Sequence, residues 1–192
     1  MKNRQSPIDI KRSNKKIRSN NILKIDYLDK NIVYQSIIKE GNIIYYPDTK
    51  NYLTFNDTKF KLEQIHFHNP SEHKLDSQTY DMEIHFVHRF ENSYLVLAFF
   101  IKKGNNGPFD MALKCNNNLN QAIELTLPKK DTDVFYFYPG SLTTKPYSSN
   151  VTWLVFEKPK ESACIDLWNK QFGIARKVQE CCPAEILKFD TN

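Results

Sequence analysis

The 192-residue sequence predicts a mainly β protein of α+β character, organised as one domain over residues 1–192. Three observations carry that expectation. Short runs rich in Ile, Val, Tyr and Phe recur at 22–28, 32–38, 42–46, 52–60, 62–68, 82–88, 94–101, 134–138 and 151–157, with Gly, Pro, Asn and Asp between many of them, the pattern of strands and turns. Only two stretches have helical spacing. The hydrophobic content of 40%, with 13% aromatic residues, supports one sizeable core and excludes a disordered chain.

Taken in order, the chain opens with Gln5-Ser6-Pro7-Ile8, and then 21–46 gives three strand-like runs separated by Asp29-Lys30-Asn31 and Glu40-Gly41-Asn42. Gly41 reads as a turn or bulge residue. Residues 52–60 turn at Asn56-Asp57 into the next strand, and the nearly continuous apolar run YLVLAFFI at 94–101 reads as a strand buried on both faces. A short helix is expected after Pro108, to about Cys115, since Pro suits the first helical turn. VFYFY at 134–138 and the run at 151–157 are further strands. The best helix is expected at 161–172, where Cys164, Ile165, Trp168 and Phe172 fall at helical spacing and would form a buried stripe.

The chemistry concentrates at 65–89, IHFHNPSEHKLDSQTYDMEIHFVHR, which holds all five histidines. Residues 62–68 and 82–88 read as an antiparallel strand pair with a long polar connection. Side chains alternate faces along a strand, so Leu62, Gln64, His66 and His68 share one face, while Glu83, His85 and Val87 share a face of the second strand. If those faces coincide, three imidazoles converge. Three histidines suit a catalytic zinc ion, because the fourth tetrahedral position is left open. Gln64 and Glu83, each two residues before a ligand, would fix which ring nitrogen faces the metal. His73, in the connection, and His88, on the opposite face, are expected to make structural hydrogen bonds.

This stretch resembles the α-class carbonic anhydrases in its HFH-x-PSEH and E-x-H-x-VH motifs. RQSPIDI at 4–10, YPGSLTT at 138–144 and VTW at 151–153 follow in family order. The resemblance implies a large twisted, mostly antiparallel sheet with a few short helices. It also implies a zinc ion on His66, His68 and His85, and reversible hydration of carbon dioxide to bicarbonate through a zinc-bound hydroxide. Thr143 would accept a hydrogen bond from the nucleophile while donating to Glu72. Val87, Val96, Leu142, Thr144, Val151 and Trp153 would wall the substrate pocket. The family's proton-carrying histidine position is Asn42 here, and an amide takes up no proton near neutral pH, so turnover limited by proton transfer is expected. Lys145-Pro146 stands where relatives have Pro-Pro, and Ser6-Pro7 and Lys145-Pro146 are implied to be cis. In QECCPAEIL at 179–187, Cys182 is read as replacing a family arginine.

The formal net charge is +5, with an early basic excess from Lys2, Arg4, Lys11, Arg12, Lys15, Lys16, Arg18, Lys24 and Lys30. It suits a solvated face, with binding of a polyanion or partner as the alternative. Some members of this fold act as binding proteins after losing zinc ligands, and an assembly or polyanion-binding role is the second expectation. No nucleic-acid module and no transmembrane run appears in the sequence. The N-terminus lacks an apolar secretory region, so an intracellular, cytoplasmic setting is expected. Cys115, Cys164, Cys181 and Cys182 lack paired metal-site spacing, which fits reduced thiols. The chain starts close to the QSPI motif, where relatives carry a covering segment, so a homo-oligomer or larger assembly could bury that surface.

Overall fold

The computed structural model describes residues 4–12, 16–18, 23–27, 31–32, 34–39, 41–48, 50–114, 125–126, 134–168, 170, 172–180 and 186–190. The strands run β1 (Asp9–Ile10), β2 (Lys16–Arg18), β3 (Leu23–Asp26), β4 (Asn31–Ile32), β5 (Tyr34–Lys39), β6 (Asn42–Pro47) and β7 (Tyr52–Phe55). They continue as β8 (Thr58–His68), β9 (Lys74–Leu75), β10 (Met82–Phe90), β11 (Ser93–Lys103), β12 (Leu125–Thr126), β13 (Val134–Gly140), β14 (Val151–Ser162) and β15 (Leu187–Asp190). Helix is confined, among the described residues, to α1 (Asp110–Lys114) and a 3₁₀ turn at Ile165–Leu167.

One 11-stranded sheet organises the chain, in the order β2-β15-β13-β14-β11-β10-β8-β6-β5, with β7 pairing both β8 and β3. Most pairs are antiparallel; β11 with β14 and β15 with β2 are parallel. The connection from β7 to β8 is the expected turn, with Asn56 and Asp57 at φ 46° and 62°, a left-handed conformation that Asn and Asp tolerate. Residues 82–88 and 95–101 are buried throughout, because β10 and β11 are covered on both faces.

Alternation divides those faces into two cores. Ile65, Phe67, Ile84, Phe86, Leu97, Phe99 and Phe156 belong to the larger one, where Phe99 and Phe156 stack at 4.3 Å. Each large side chain removed from water there contributes roughly 1.5–3 kcal/mol. Val87, Val96, Ala98, Trp153, Tyr136 and Tyr138 belong to the second core.

Two sequence expectations are corrected here. Leu62 does not share the histidine face: pairing steps from Val87–Gln64 to His88–Leu62, so Glu63 is an extra residue. Such a bulge reverses the alternation, and Leu62 packs in the core opposite the histidines. The second correction concerns 161–172. Glu161 and Ser162 still belong to β14, paired with Lys102 and Lys103, and among the described residues of this stretch only Ile165–Leu167 makes a 3₁₀ turn. Cys164, Ile165 and Trp168 are buried as expected. The stripe is real, yet pairing with a central strand outweighs a weak helical preference. Ser6-Pro7 and Lys145-Pro146 are cis as implied, and Asn69-Pro70 is cis as well. The Cys182 reading lies outside the described residues.

Candidate metal centre

β8 and β10 present the three imidazoles by direct pairing, with His66 opposite His85 and His68 opposite Glu83. Ring centroids are separated by 4.9 Å (His66–His68), 5.2 Å (His66–His85) and 4.7 Å (His68–His85). One nitrogen from each lies within 4.8 Å of the others. Burial drives all three rings below the ordinary histidine range. His68 falls to about 4, although Glu83 and the nearby backbone of Ile174 and Gly173 pull it upward. For His66 the neighbouring rings add to the effect of burial, whereas Glu83 opposes burial at His85. The rings are therefore neutral at physiological pH, the form in which imidazole donates a lone pair to a metal.

Glu83 fixes one of them. The His85 Nε2–H donates to Glu83 Oε1 at 2.8 Å, leaving Nδ1 facing the other two rings. His73 donates through Nδ1 to the same oxygen at 2.7 Å and through its backbone N–H to Oε2 at 2.8 Å. Burial alone would raise the Glu83 carboxyl, but His73 and His85 hold it well below the usual range. The His73 Nε2 lies 2.6 Å from the Tyr138 hydroxyl, which lies 2.9 Å from Ser6 Oγ. His88 is 2.5 Å from the Tyr27 hydroxyl and donates to Leu95 O at 3.2 Å. Both histidines have the structural bonds that the sequence suggested.

Glu72 is buried beside the centre, its Oε2 3.4 Å from His68 Nε2 and 4.0 Å from His85 Nδ1. Burial raises its carboxyl, while His85, the Thr143 hydroxyl and the Arg176 N–H act the other way. That N–H donates to Oε1 at 2.8 Å. Gln64 lies on the histidine face, but its Oε1 and the His66 Nδ1 have no partner in the protein, so no orienting bond joins them.

Val87, Val96 and Trp153 form one row across β10, β11 and β14, and with Val151 they are at most 2% exposed. The Trp153 ring sits 4.9 Å from His85, and its Nε1 donates to Ser141 O at 3.0 Å. Leu142 packs on this cluster. Thr144 and Asn42 line an open cavity of about 170 Å³ beside His66.

Sequence reasoning missed Arg176. Its guanidinium donates to Gln5 Oε1 at 3.0 Å and Ser6 O at 2.7 Å, and lies 3.7 Å above the Tyr147 ring. It lies in irregular chain and its partners are 171 and 170 residues away, so no periodicity marks it. Two of the basic N-terminal residues are held in ion pairs. Lys11 pairs with Asp9, and Arg12 pairs with Asp76 and Glu157.

The donor set fits a metal ion. His68 Nε2 and Glu72 Oε2 are buried without a hydrogen-bond partner, which is costly unless something else satisfies them. Three neutral imidazoles with no thiolate suit zinc. The second group of possible ligands, His73, Glu83 and His85, is already consumed by its mutual hydrogen bonds.

A continuous sheet carrying three buried, converging histidines defines the class of β protein to which the chain belongs, and its relatives give the family. The eukaryotic-type carbonic anhydrase family model matches residues 1–172, and the chain belongs to that family. It is 32% identical over 173 residues to a carbonic anhydrase of Nostoc sp., covering 83% of this chain and 65% of that relative. It thus spans less than two thirds of that relative's length, and 48% of the length of a carbonic anhydrase of Neisseria gonorrhoeae. The α-carbonic anhydrase of Thermovibrio ammonificans, solved with the inhibitor sulfanilamide, superposes with a TM-score of 0.79 at 29% identity, covering 96% of this chain and 86% of that one. Dioscorin DB3L of Dioscorea polystachya is 27% identical over 153 residues, covering 71% of this chain and 55% of that relative. No helix among the described residues is long and apolar enough to cross a membrane.

Proposed function

We propose that this chain is a zinc-dependent carbonic anhydrase that interconverts carbon dioxide with bicarbonate and a proton. The observation that carries this reading is the convergence of three buried, neutral imidazoles, His66, His68 and His85, beside the unsatisfied Glu72 oxygen. Zinc, when bound, supplies a Lewis acid that makes water nucleophilic near neutral pH, a role carbonic anhydrases exemplify. Glu83 holds His85 in the tautomer whose Nδ1 is free to ligate. The Thr143 hydroxyl, whose influence lowers the Glu72 carboxyl, would donate a hydrogen bond to Glu72 and so keep a lone pair to orient the attacking oxygen toward the substrate carbon. Val87, Val96, Leu142, Val151 and Trp153 keep the adjoining wall apolar, which suits a substrate without charge. Thr144 sits at the edge of that wall, in the cavity reached by His66. Asn42 cannot relay the released proton, so proton departure limits turnover.

The test is stopped-flow hydration of carbon dioxide on protein of known zinc content, with His85→Ala as control. Activity proportional to zinc and abolished in the variant supports the reading. Fully zinc-loaded protein without activity would refute it and favour a binding or assembly role.

A further inference from the structure

Tyr147 has a backbone conformation that its side chain disfavours. Its φ is 60°, in the left-handed region that is uncommon for a bulky residue, and such strain persists only where surrounding contacts impose it. Tyr147 closes a compact loop after β13. Its N–H donates to Thr144 O at 2.8 Å, and the Leu142 N–H donates across the loop to Ser148 O at 2.9 Å. Thr143 sits inside that loop and is buried, whereas residues 145, 146 and 148–150 are exposed. Tyr147 is half-buried, with the Arg176 guanidinium 3.7 Å from its ring centroid, well inside the roughly 6 Å over which a cation is held on an aromatic face.

The other bonds of Arg176 fix where that guanidinium stands. It donates to Gln5 Oε1 and Ser6 O, and Ser6 in turn exchanges two bonds with Ser141 at the head of the loop, N–H to Oγ in both directions. The Arg176 backbone N–H meets Glu72 Oε1 at 2.8 Å. One residue therefore touches both halves of the Thr143–Glu72 pair, the carboxyl through its main chain and the Thr143 loop through its side chain. We propose that the Tyr147–Arg176 stack is a positioning device that holds the Thr143 loop, and with it the Thr143 hydroxyl, in register with Glu72. Both residues act through Thr143, so they are positioning residues. A planar guanidinium suits the task, because it lies flat on a ring as a lysine ammonium does not. The catalytic consequence rests on the hydration reading; the hold on the loop depends on neither turnover nor metal.

The test compares the full-length wild type with Tyr147→Leu, Arg176→Lys, the double variant and Tyr147→Phe. In zinc-free protein, amide hydrogen exchange at Leu142 reads opening of the loop, and Ala98, paired on both sides in β11, is the control. Exchange at Leu142 is expected to rise about ten-fold in each of the Leu and Lys variants, with Ala98 unchanged. With zinc loaded, kcat/KM for carbon dioxide should fall about ten-fold, less than the roughly hundred-fold that a misplaced group can cost. The kcat, set by proton departure, should fall less than about two-fold. Tyr147→Phe keeps the ring face and should hold both readouts within about two-fold of the wild type. The double variant should be no worse than either single one, because both remove the same contact. Unchanged exchange at Leu142, equal rises at Leu142 and Ala98, additive losses in the double variant, or a loosened loop with undiminished kcat/KM overturns the proposal. A zinc-loaded wild type without activity refutes the hydration reading and the catalytic consequence with it, while the exchange measurement still decides whether the stack holds the loop.

Discussion

His88 shows what one buried imidazole does to acid stability. Its Nδ1 proton goes to Leu95 O, so the Tyr27 hydroxyl donates to Nε2 and both nitrogens are satisfied only in the neutral ring. Burial lowers its pKa from 6.5 to about 3. The unfolded chain takes up this proton below about 6.5 and the folded chain does not until about 3, so stability falls as the pH drops through that window. The loss is at most about 1.4 kcal/mol per pH unit. Urea unfolding at several pH values between 7 and 4 is expected to show His88→Gln with a shallower decline than the wild type. Asn42 makes a different prediction. A positioned proton carrier is worth on the order of 10²-fold or more, and an amide supplies none of it. Imidazole buffer is therefore expected to raise the hydration rate to a plateau, and a rate indifferent to buffer would contradict proton-limited turnover.

At the scale of elements, two glycines separate backbone preference from packing. Gly41 and Gly173 both have positive φ, 77° and 70°, and the Gly173 N–H donates to Gly41 O at 2.9 Å. A Cβ on Gly41 meets nothing within 4 Å, whereas one on Gly173 would lie 2.2 Å from Phe67 O and 3.2 Å from His68 Cα. Gly41→Ala should cost about 1–2 kcal/mol, the penalty for an L residue in left-handed backbone. Gly173→Ala should cost more and also lower zinc affinity, because the clash bears on the end of β8 that carries His68. Thermal unfolding and competitive zinc titration read the two effects separately; equal cost in both variants would show that the β8 end yields freely.

For the whole molecule, the centre is held by parts distant in sequence. Arg176 bonds Glu72, Gln5 and Ser6 and lies over Tyr147, which joins the N-terminal motif, the SEH turn and the loop carrying Thr143. His66, His68 and His85 cluster only when β8 and β10 are paired, so zinc bound as proposed would favour the folded state. Zinc is expected to raise the melting temperature by the linkage amount, about 2.7 kcal/mol at a hundred-fold excess over its dissociation constant, and a chelator to reverse the gain. His85→Ala should remove most of this response, and a melting temperature indifferent to zinc would count against a site at these residues.

The sequence by itself determined the strand runs, the turn at Asn56-Asp57, the His66, His68 and His85 face, and the separate roles of His73 and His88. All of these are local in origin, because strand alternation and turn chemistry are readable within a few residues. Tertiary structure decided the bulge at Glu63 that moves Leu62 to the other core, the extended course of 161–162 against β11, and the unmade Gln64–His66 bond. It also decided Arg176 as a tie. Each of these depends on which distant strand or loop arrives alongside, a competition among packing and pairing energies that local propensities of a few tenths of a kcal/mol do not settle.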